Sequence, residues 1–181
     1  MIIEDAPIKG LKIVQRNQIL DERGFFERFF CADELHEILG GKNILQMNRS
    51  FTKKKGSVRG MHFQTAPKQE IKIITCTKGC VFDVAVDLRK DSTTFLKWHA
   101  QILDAEKGET FIIPEGFAHG FQTLTNDCEM IYLHTCEYSS KYEKAINPFD
   151  PAVDINWPLK LADISKKDLS HTMIGPDYEG I

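Results

Sequence analysis

The sequence predicts an all-β protein, an antiparallel sandwich or barrel, and two observations lead to this prediction. Apolar residues alternate with other residues at a period of two through the middle of the chain, and turn-forming residues interrupt the alternation about every ten residues. No helix-length segment separates these runs, which favours antiparallel pairing. The 181 residues show no break in composition, so we expect one domain spanning residues 1–181.

Six strands can be placed from this alternation. The clearest lies at 81–88, whose faces carry Phe82, Val84, Val86 and Leu88 on one side and Asp83, Ala85 and Asp87 on the other. The other five are predicted at 72–77, 98–103, 110–113, 120–125 and 130–138. Turn residues at 78–79, 106–108 and 125–127 separate several of them.

Helical structure is expected to be short. One early helix is predicted at 32–39, because this segment has an apolar stripe and two glycines follow it. The stripe consists of Leu35, Ile38 and Leu39. From residue 147 onward, four of the chain's seven prolines and the polar segment 165–168 predict a loop with short helical turns that packs back on the barrel.

Composition excludes several classes of partner. The chain has 23 Lys and Arg against 26 Asp and Glu, so no overall field favours nucleic acid or a membrane surface, and we expect neither as a partner. The lysine run at 53–55 is expected to be a solvated loop. No charged-then-apolar leader and no run of membrane-spanning length is present, so a cytoplasmic location is expected.

Cysteine usage agrees with a reducing compartment. The number of cysteines is odd and none forms a Cys-x-x-Cys pair, which is typical of reduced core thiols and not of a disulfide framework. These cysteines are Cys31, Cys76, Cys80, Cys128 and Cys136.

Four polar residues indicate a particular chemistry. His62 lies in the segment 60–64, and Lys72, Tyr132 and Asp168 follow at long intervals. A histidine, a lysine and a tyrosine that converge in a barrel provide a base, a cation for an enolate and an acid for the opposite face. Such proton transfer beside a carbonyl needs no cofactor, and the chain has no dinucleotide-binding or P-loop glycine motif.

A metal-dependent reaction is an alternative. Residues 114–119, followed by Asn126, resemble the second motif of the cupin superfamily, Pro-x-Gly-x-x-His…Asn. Metal-binding cupins also need a first motif with two histidines and a glutamate, whereas His62 stands alone in this region. Ligands must surround an ion from several sides, so two isolated histidines make a poor site and we assign no metal ligands.

The closest resemblance is to the dTDP-4-dehydrorhamnose 3,5-epimerase family, which is itself cupin-like. The matching segments follow one another in order and cover nearly the whole chain: 21–26, 46–48, 58–64, 81–89, 114–121, 132–138, 155–158 and 165–168. The resemblance implies a cupin-like antiparallel β-barrel or jelly roll with a few short helices in its N- and C-terminal parts. It also implies a cofactor-independent epimerase that inverts C3, C5 or both of a nucleotide-linked 4-keto-6-deoxy sugar.

The resemblance assigns the catalytic residues. His62 would remove the proton beside the C4 ketone, and Asp168 would orient its imidazole. Lys72 would stabilise the enolate oxygen, and Tyr132 would return a proton from the other side. The first substrate implied is dTDP-4-dehydro-6-deoxy-D-glucose, which would become dTDP-4-dehydro-L-rhamnose.

The resemblance also assigns the substrate-binding residues. Arg23 and Arg59 would hold the diphosphate, for which planar guanidinium groups are suited, and Tyr138 would stack on the nucleobase. Further contacts would come from Phe26, Gln46, Asn48 and His119. Tyr132 and Tyr138 are an even step apart on the predicted strand 130–138, so they should share a face and lie about 20 Å apart.

Other expectations concern the aromatic residues near the N-terminus and the association of chains. The four phenylalanines of this region are predicted to lie mainly in the core: Phe25, Phe26, Phe29 and Phe30. Phe26 is also a candidate contact to the nucleobase of the substrate. The family pattern implies a homodimer in which the N-terminal segment of one chain completes the active site of the other.

Two departures from the family pattern bear on specificity. Arg28 stands where the family usually has glutamate, and Glu70 stands where it usually has glutamine. These departures leave open which nucleotide and which sugar are used. The alternatives are a single-centre epimerase on another nucleotide sugar, a metal-dependent cupin and a non-catalytic cupin that binds a sugar nucleotide.

Overall fold

The computed structural model describes residues 1–181, and β-strands make up nearly all of its regular structure. No helix has the length and apolar character needed to span a membrane. In chain order the elements are β1 (Ile2–Asp5), β2 (Lys12–Gln15), β3 (Gln18–Asp21), β4 (Gly24–Glu27), α1 (His36–Leu39), β5 (Gln46–Thr52), β6 (Ser57–Gln64), β7 (Lys72–Lys78), β8 (Cys80–Asp87), β9 (Trp98–Asp104), β10 (Glu109–Ile113), β11 (Phe117–Thr123), β12 (Cys128–His134), β13 (Glu143–Ala145), β14 (Asp163–Ile164) and α2 (Lys166–Leu169).

Two sheets and one separate hairpin account for all the strands. The first sheet has the order β1-β2-β10-β7-β12-β5, and the second has the order β13-β6-β11-β8-β9 with β14 added beside β6. The hairpin β3-β4 pairs only with itself. Every pair is antiparallel except β14 with β6, which is parallel. The predicted all-β antiparallel fold is therefore confirmed.

The main core lies between the two sheets. Ile74 and Phe111 from the first sheet pack with Val81 and Phe121 from the second, and all four are almost fully buried. The alternation predicted for β8 is confirmed, because Val81 and Ala85 face this core while Phe82, Val84 and Val86 face the other side. Apolar burial on this scale is the main favourable contribution to the fold.

Both outer sheet faces are also covered. On the second sheet, Val84 and Val86 pack with Ile146, Val153 and the partly buried Trp157 from the C-terminal segment. This agrees with the prediction that the tail packs back on the barrel. β8 is consequently buried on both faces, so its alternation does not separate a core face from a solvent face.

The helix prediction is only partly correct. The outer face of the first sheet packs with Leu35 and Leu39, as the predicted stripe requires. The helix itself begins at His36 and not at residue 32, because Leu35 has φ −103° and ψ 7° and no side chain caps the helix start. Gly40 ends it in the left-handed conformation with φ 56°.

Strands β7 to β12 confirm the six predicted strands, but the last was predicted too long. β12 ends at His134, so the prediction that Tyr138 shares its strand face is wrong. The Gln64 amide diverts the chain here: Nε2 donates to the carbonyl of Glu137 at 3.2 Å, and Oε1 accepts from the amide of Ser139 at 2.7 Å. These bonds replace the continued sheet ladder.

The prediction that the early phenylalanines lie in the core is also wrong for most of them. Phe25 and Phe26 are 56% and 71% exposed on the hairpin β3-β4. The hairpin pairs with neither sheet, and its apolar side chains remain more than half exposed in this chain. Phe30 alone of the four packs against a core cluster.

A close approach between β6 and β11 depends on glycine. His119 pairs with His62, and the register then shifts before Phe121. A Cβ atom on Gly120 would lie 2.4 Å from the sulfur of Met61 and 2.6 Å from the carbonyl oxygen of Arg59. Real Cβ contacts of this length do not occur, so only glycine allows the two strands to approach in this way.

We therefore expect Gly120→Ala to destabilise the fold by about 1–3 kcal/mol through overpacking. The Met61 sulfur can move aside, but the Arg59 carbonyl belongs to the backbone. The free energy of unfolding in urea measures the effect. Gly175→Ala is the matched control, because a Cβ there would meet open space. Equal unfolding midpoints for the two variants would contradict this account of the contact.

Candidate active site

One cavity of about 750 Å³ collects most of the predicted site residues. Its volume falls within the range of small-molecule sites. It is lined from both sheets and from the C-terminal segment. The predicted site residues in its lining are Asn48, Arg59, His62, Lys72, His119, Tyr132, Tyr138 and Asp168.

The imidazole of His62 and the carboxylate of Asp168 form a direct pair. His62 Nε2 donates to Asp168 Oδ1 at 2.8 Å, and the amide of Gly60 donates to Oδ2 at 3.4 Å. The His62 side chain is 36% exposed toward the cavity, whereas that of Asp168 is 6% exposed. Burial is the largest single influence and raises the pKa of Asp168, but the hydrogen bond and charge of His62, together with smaller contributions such as the Gly60 amide, leave the pKa below its ordinary value.

The C-terminal segment carries Asp168 to this position. Strand β14 pairs in parallel with the start of β6, and α2 follows directly. Ser165 caps α2 by accepting the amide of Asp168 at 2.9 Å. Asn147 Nδ2 donates to the carbonyls of Leu169 and His171 at 3.1 and 3.0 Å, which fixes the end of the segment.

His171 adjoins this pair and was not predicted. Its Nε2 lies 3.8 Å from Asp168 Oδ1 and has no hydrogen-bond partner. The ligand atoms of His62, Asp168 and His171 all lie within 4.8 Å of one another, so this group is the one that could hold a metal ion. The Asp168 carboxylate is already engaged by His62, and a metal would have to replace that bond.

Lys72 lies inside the cavity on β7, with 10% of its side chain exposed. Its ammonium donates to the carbonyl of His62 at 3.0 Å and lies 3.4 Å from Glu70 Oε1. Burial lowers the pKa of Lys72, and the charge of Glu70 only partly offsets this effect. An ammonium in this position can stabilise negative charge that develops on a bound molecule.

Tyr132 enters the cavity from β12, which neighbours β7 in the first sheet and faces the second sheet that carries His62. Its hydroxyl lies 2.9 Å from Ser50 Oγ, and its ring packs edge-on to that of His119 with centroids 6.1 Å apart. Burial raises the pKa of Tyr132 strongly, so the phenol keeps its proton. Tyr132 can therefore donate a proton to a group that lies in the cavity.

His119 forms a second imidazole–carboxylate pair with Asp83. Its Nε2 lies 2.9 Å from each Asp83 oxygen, and both residues are buried. Burial raises the pKa of Asp83 and lowers that of His119, so it disfavours the charge on both partners. The sequence marked His119 but not its partner on the inner face of β8.

Polar groups and tyrosine form the rim of the cavity. Arg59 Nε donates to Thr52 Oγ1 at 3.0 Å and Nη2 donates to the carbonyl of Phe51 at 3.1 Å, which leaves Nη1 for a ligand. The Tyr138 hydroxyl donates to Glu143 at 3.0 Å, and its amide donates to Gln46 Oε1 at 2.9 Å. Gln46 thus positions Tyr138 and does not itself line the cavity.

The predicted contacts Arg23 and Phe26 lie elsewhere in this chain. Both are on the hairpin β3-β4, and the Arg23 side chain is 89% exposed beside Asp21. Neither lines the cavity. Arg28, one of the departures from the family pattern, pairs with Glu34 at 2.5 Å and also lies outside it.

The sequence interpretation missed several cations on the cavity wall. Arg49, Lys53 and Lys54 line it in addition to Arg59. The lysine run is exposed, as a solvated loop requires, but two of its members also border the cavity. A run of lysines carries no signal that distinguishes these two situations, because the difference depends on where the loop packs.

The sequence pattern of one protein family matches residues 5–175, and its description is dTDP-4-dehydrorhamnose 3,5-epimerase. The dTDP-4-dehydrorhamnose 3,5-epimerase of Salmonella typhimurium is 38% identical over 175 residues, which cover 96% of this chain and 96% of that protein.

Solved structures agree with the sequence match. The dTDP-6-deoxy-D-glucose-3,5-epimerase RmlC of Legionella pneumophila, in complex with dTDP-4-keto-L-rhamnose, is 38% identical, with a TM-score of 0.90 over 95% of this chain and 92% of that one. ChmJ, a 3'-monoepimerase from Streptomyces bikiniensis in complex with dTDP-quinovose, is 27% identical, with a TM-score of 0.86 over 93% and 85%.

These similarities extend over nearly the whole chain and are accompanied by the predicted cupin-like fold. They confirm the predicted family resemblance and the predicted enzyme class, an isomerase. The chain belongs to the dTDP-4-dehydrorhamnose 3,5-epimerase family.

Proposed function

We propose that this chain is a cofactor-independent epimerase that inverts C3, C5 or both of a dTDP-linked 4-keto-6-deoxy sugar. Its first substrate would be dTDP-4-dehydro-6-deoxy-D-glucose. The observation that carries this proposal is the convergence, in one cavity, of an imidazole–carboxylate pair, a buried ammonium and a buried phenol. The similarity to ChmJ keeps inversion at a single centre as the second candidate.

The base and the cation begin the proposed reaction. His62 takes the proton from the carbon beside the C4 ketone, and the electron pair of that C–H bond moves to the ketone oxygen as an enolate. Asp168, hydrogen-bonded at 2.8 Å, orients the imidazole and stabilises the positive charge that it gains. The Lys72 ammonium stabilises the enolate oxygen in a cavity where water screens little.

The position of the acid explains the inversion. His62 belongs to β6 in the second sheet and Tyr132 to β12 in the first, so the two groups reach the cavity from facing sheets. A planar enolate that lost its proton to one side and receives a proton from the other side becomes the epimer. Tyr132 gives this proton and becomes a tyrosinate. Before the next turnover, solvent returns a proton to Tyr132 and takes the abstracted proton from His62.

The nucleotide end of the substrate would occupy the cationic rim. Arg59 and the neighbouring Arg49, Lys53 and Lys54 provide positive charge for a diphosphate. Tyr138, which is 56% exposed, is available to stack on a nucleobase. Asn48 lines the same wall and offers an amide for polar contacts.

We propose that the remaining contacts come from a second copy of the chain in a homodimer. The hairpin β3-β4 exposes Ile19, Leu20, Phe25 and Phe26 together, and exposed apolar patches of this kind mark interaction surfaces. The edge strand β5 exposes Met47 and Phe51 beside the cavity. Insertion of the hairpin along β5 of the partner would cover both surfaces and bring Arg23 to the rim.

We also propose a cytoplasmic location and a single domain. All five cysteines are unpaired, which supports a reducing, cytoplasmic location. The two sheets share one core, which supports a single domain.

Incubation with several 4-keto nucleotide sugars in heavy water tests the proposed function. We expect deuterium at C3, C5 or both, and inverted product by NMR, with rates that survive dialysis against a chelator. His62→Ala should lower exchange about a hundredfold to ten-thousandfold, while His36→Ala, a surface histidine on α1, should have no effect. Substrate binding without any exchange would instead identify a non-catalytic binding protein.

Tyr132→Phe should separate proton exchange from inversion. His62 and Lys72 still form the enolate, but the donor on the opposite face is lost, so deuterium enters the substrate while the epimer forms slowly. NMR of the product in heavy water measures both rates. Tyr142→Phe, a tyrosine outside the cavity lining, is the control. Inversion at the wild-type rate in Tyr132→Phe would show that another group is the acid.

The shared site can be tested by complementation. His62→Ala and Arg23→Ala chains, co-expressed with different affinity tags, should form heterodimers in which one site is intact and the other lacks both residues. Such heterodimers should recover about half of the wild-type turnover. If Arg23 acted within its own chain, they would stay as impaired as the two parent variants.

A further inference from the structure

A third carboxylate–imidazole pair lies in the same cavity, and the proposed reaction does not use it. His134 Nδ1 donates to Glu70 Oε2 at 2.9 Å. The side chain of His134 is 10% exposed and that of Glu70 is 8% exposed, and both line the cavity. A buried carboxylate costs free energy unless it is paired, so this arrangement requires a reason.

The second oxygen of Glu70 points to Lys72. Glu70 Oε1 lies 3.4 Å from the Lys72 ammonium, and this is the only ion pair that Lys72 makes. The other contact of the ammonium is the uncharged carbonyl of His62 at 3.0 Å. The carboxylates of Asp83 and Glu143 also act on the Lys72 charge, but both have partners of their own.

We propose that Glu70, held in place by His134, is a positioning residue that keeps Lys72 as an ammonium during proton transfer. This inference rests on the proposed function, because it concerns the group that stabilises the enolate. Glu70 touches Lys72 and not the reacting atoms. Its effect would therefore be on the pH range of the reaction more than on the chemistry itself.

The charges around Lys72 determine in which direction its pKa changes when the Glu70 charge is removed. Burial is the largest influence and lowers the pKa of Lys72, while Glu70 raises it. The groups that face Lys72 from the neighbouring elements are Glu70 before β7, His62 on β6, Asp83 on β8, His119 on β11, Tyr132 and His134 on β12 and Glu143 on β13.

The expected change in the pH dependence of activity follows from the protonation state of Lys72. The ammonium form is present below the pKa of Lys72 and is lost as pH rises through it. Removing the Glu70 charge lowers this pKa further, so the alkaline limit of activity moves to lower pH. Burial is the largest single influence on Glu70, but the hydrogen bonds and charges of His134 and Lys72 together keep its pKa below the ordinary value. Glu70 is therefore ionised throughout the alkaline range in which Lys72 loses its proton.

His134 fixes the direction of the carboxylate. Its Nε2 lies 3.4 Å from Asn48 Nδ2, and an amide nitrogen only donates, so Nε2 accepts and Nδ1 carries the proton given to Glu70. The imidazole ring also stacks on Tyr132, with centroids 6.3 Å apart and an interplanar angle of 24°. These contacts leave one oxygen of Glu70 free for Lys72.

The test compares the pH dependence of turnover with a direct titration of Lys72. In Glu70→Gln the alkaline limit of turnover should fall by about one pH unit or more, the usual effect of losing an adjacent opposite charge. Nitrogen-15 NMR of the Lys72 amine, assigned with Lys72→Arg and recorded without substrate, should show the same downward shift. Glu179→Gln, a surface carboxylate paired with Lys90 away from the cavity, is the control and should change neither measurement.

Further variants separate charge from structure. Glu70→Asp retains the charge but moves it one methylene further from Lys72. It should therefore lower the pKa of Lys72 by less than Glu70→Gln does. It replaces Glu70→Gln in the test if that variant does not fold. His134→Gln leaves the Glu70 carboxylate in place and should also lower the pKa of Lys72 by less than Glu70→Gln does. An unchanged Lys72 titration in both Glu70 variants overturns the inference. Absence of exchange in the wild-type protein would overturn the proposed function, and the NMR titration would still decide the role of Glu70.

Discussion

The hydrogen bond between Asp168 and His62 joins the end of the chain to the inner face of a barrel strand. A carboxylate removed from water is costly unless it is paired, so Asp168 requires the imidazole and the Gly60 amide, while the cap at Ser165 holds its backbone in place. Strand β14 and helix α2 supply the geometry for all three. The tail is therefore a structural part of the site, and its packing on the second sheet determines where the base points.

The same requirement recurs at three further buried or half-buried carboxylates in or behind the cavity wall. Asp83 has His119, Glu70 has His134 and Lys72, and Glu143 has Lys167 and Tyr138. Side chains of both charge signs thus surround a cavity large enough for a sugar. Where the dielectric constant is low, each of these charges interacts more strongly with a bound molecule. The environment also separates the roles of the groups, because burial keeps the phenol of Tyr132 protonated while the carboxylate beside His62 stays ionised.

Sequence reasoning succeeded where the signal is local and failed where it depends on packing. The period-two alternation placed β7 to β12, and the family motifs placed His62, Lys72, Tyr132 and Asp168 in one cavity. Alternation could not show that both faces of β8 are buried, nor that side-chain bonds from Gln64 would end β12 before Tyr138. Partners such as Ser50, Asp83, His134 and His171 lie on other elements and carry no motif, so they become visible only once the sheets are assembled.

The cavity divides the proposed reaction into two parts with different physical origins. Proton transfer relies on His62, Lys72 and Tyr132, which are fixed by sheets packed through one core. Nucleotide binding relies on an exposed rim and, in the proposed dimer, on a hairpin that pairs with neither sheet of its own chain and exposes its apolar side chains. Geometry at the reacting carbon must be held closely for catalysis, whereas charge at the rim acts over longer distances. Changes in the hairpin or rim can therefore alter which nucleotide is bound while leaving the acid–base groups in place.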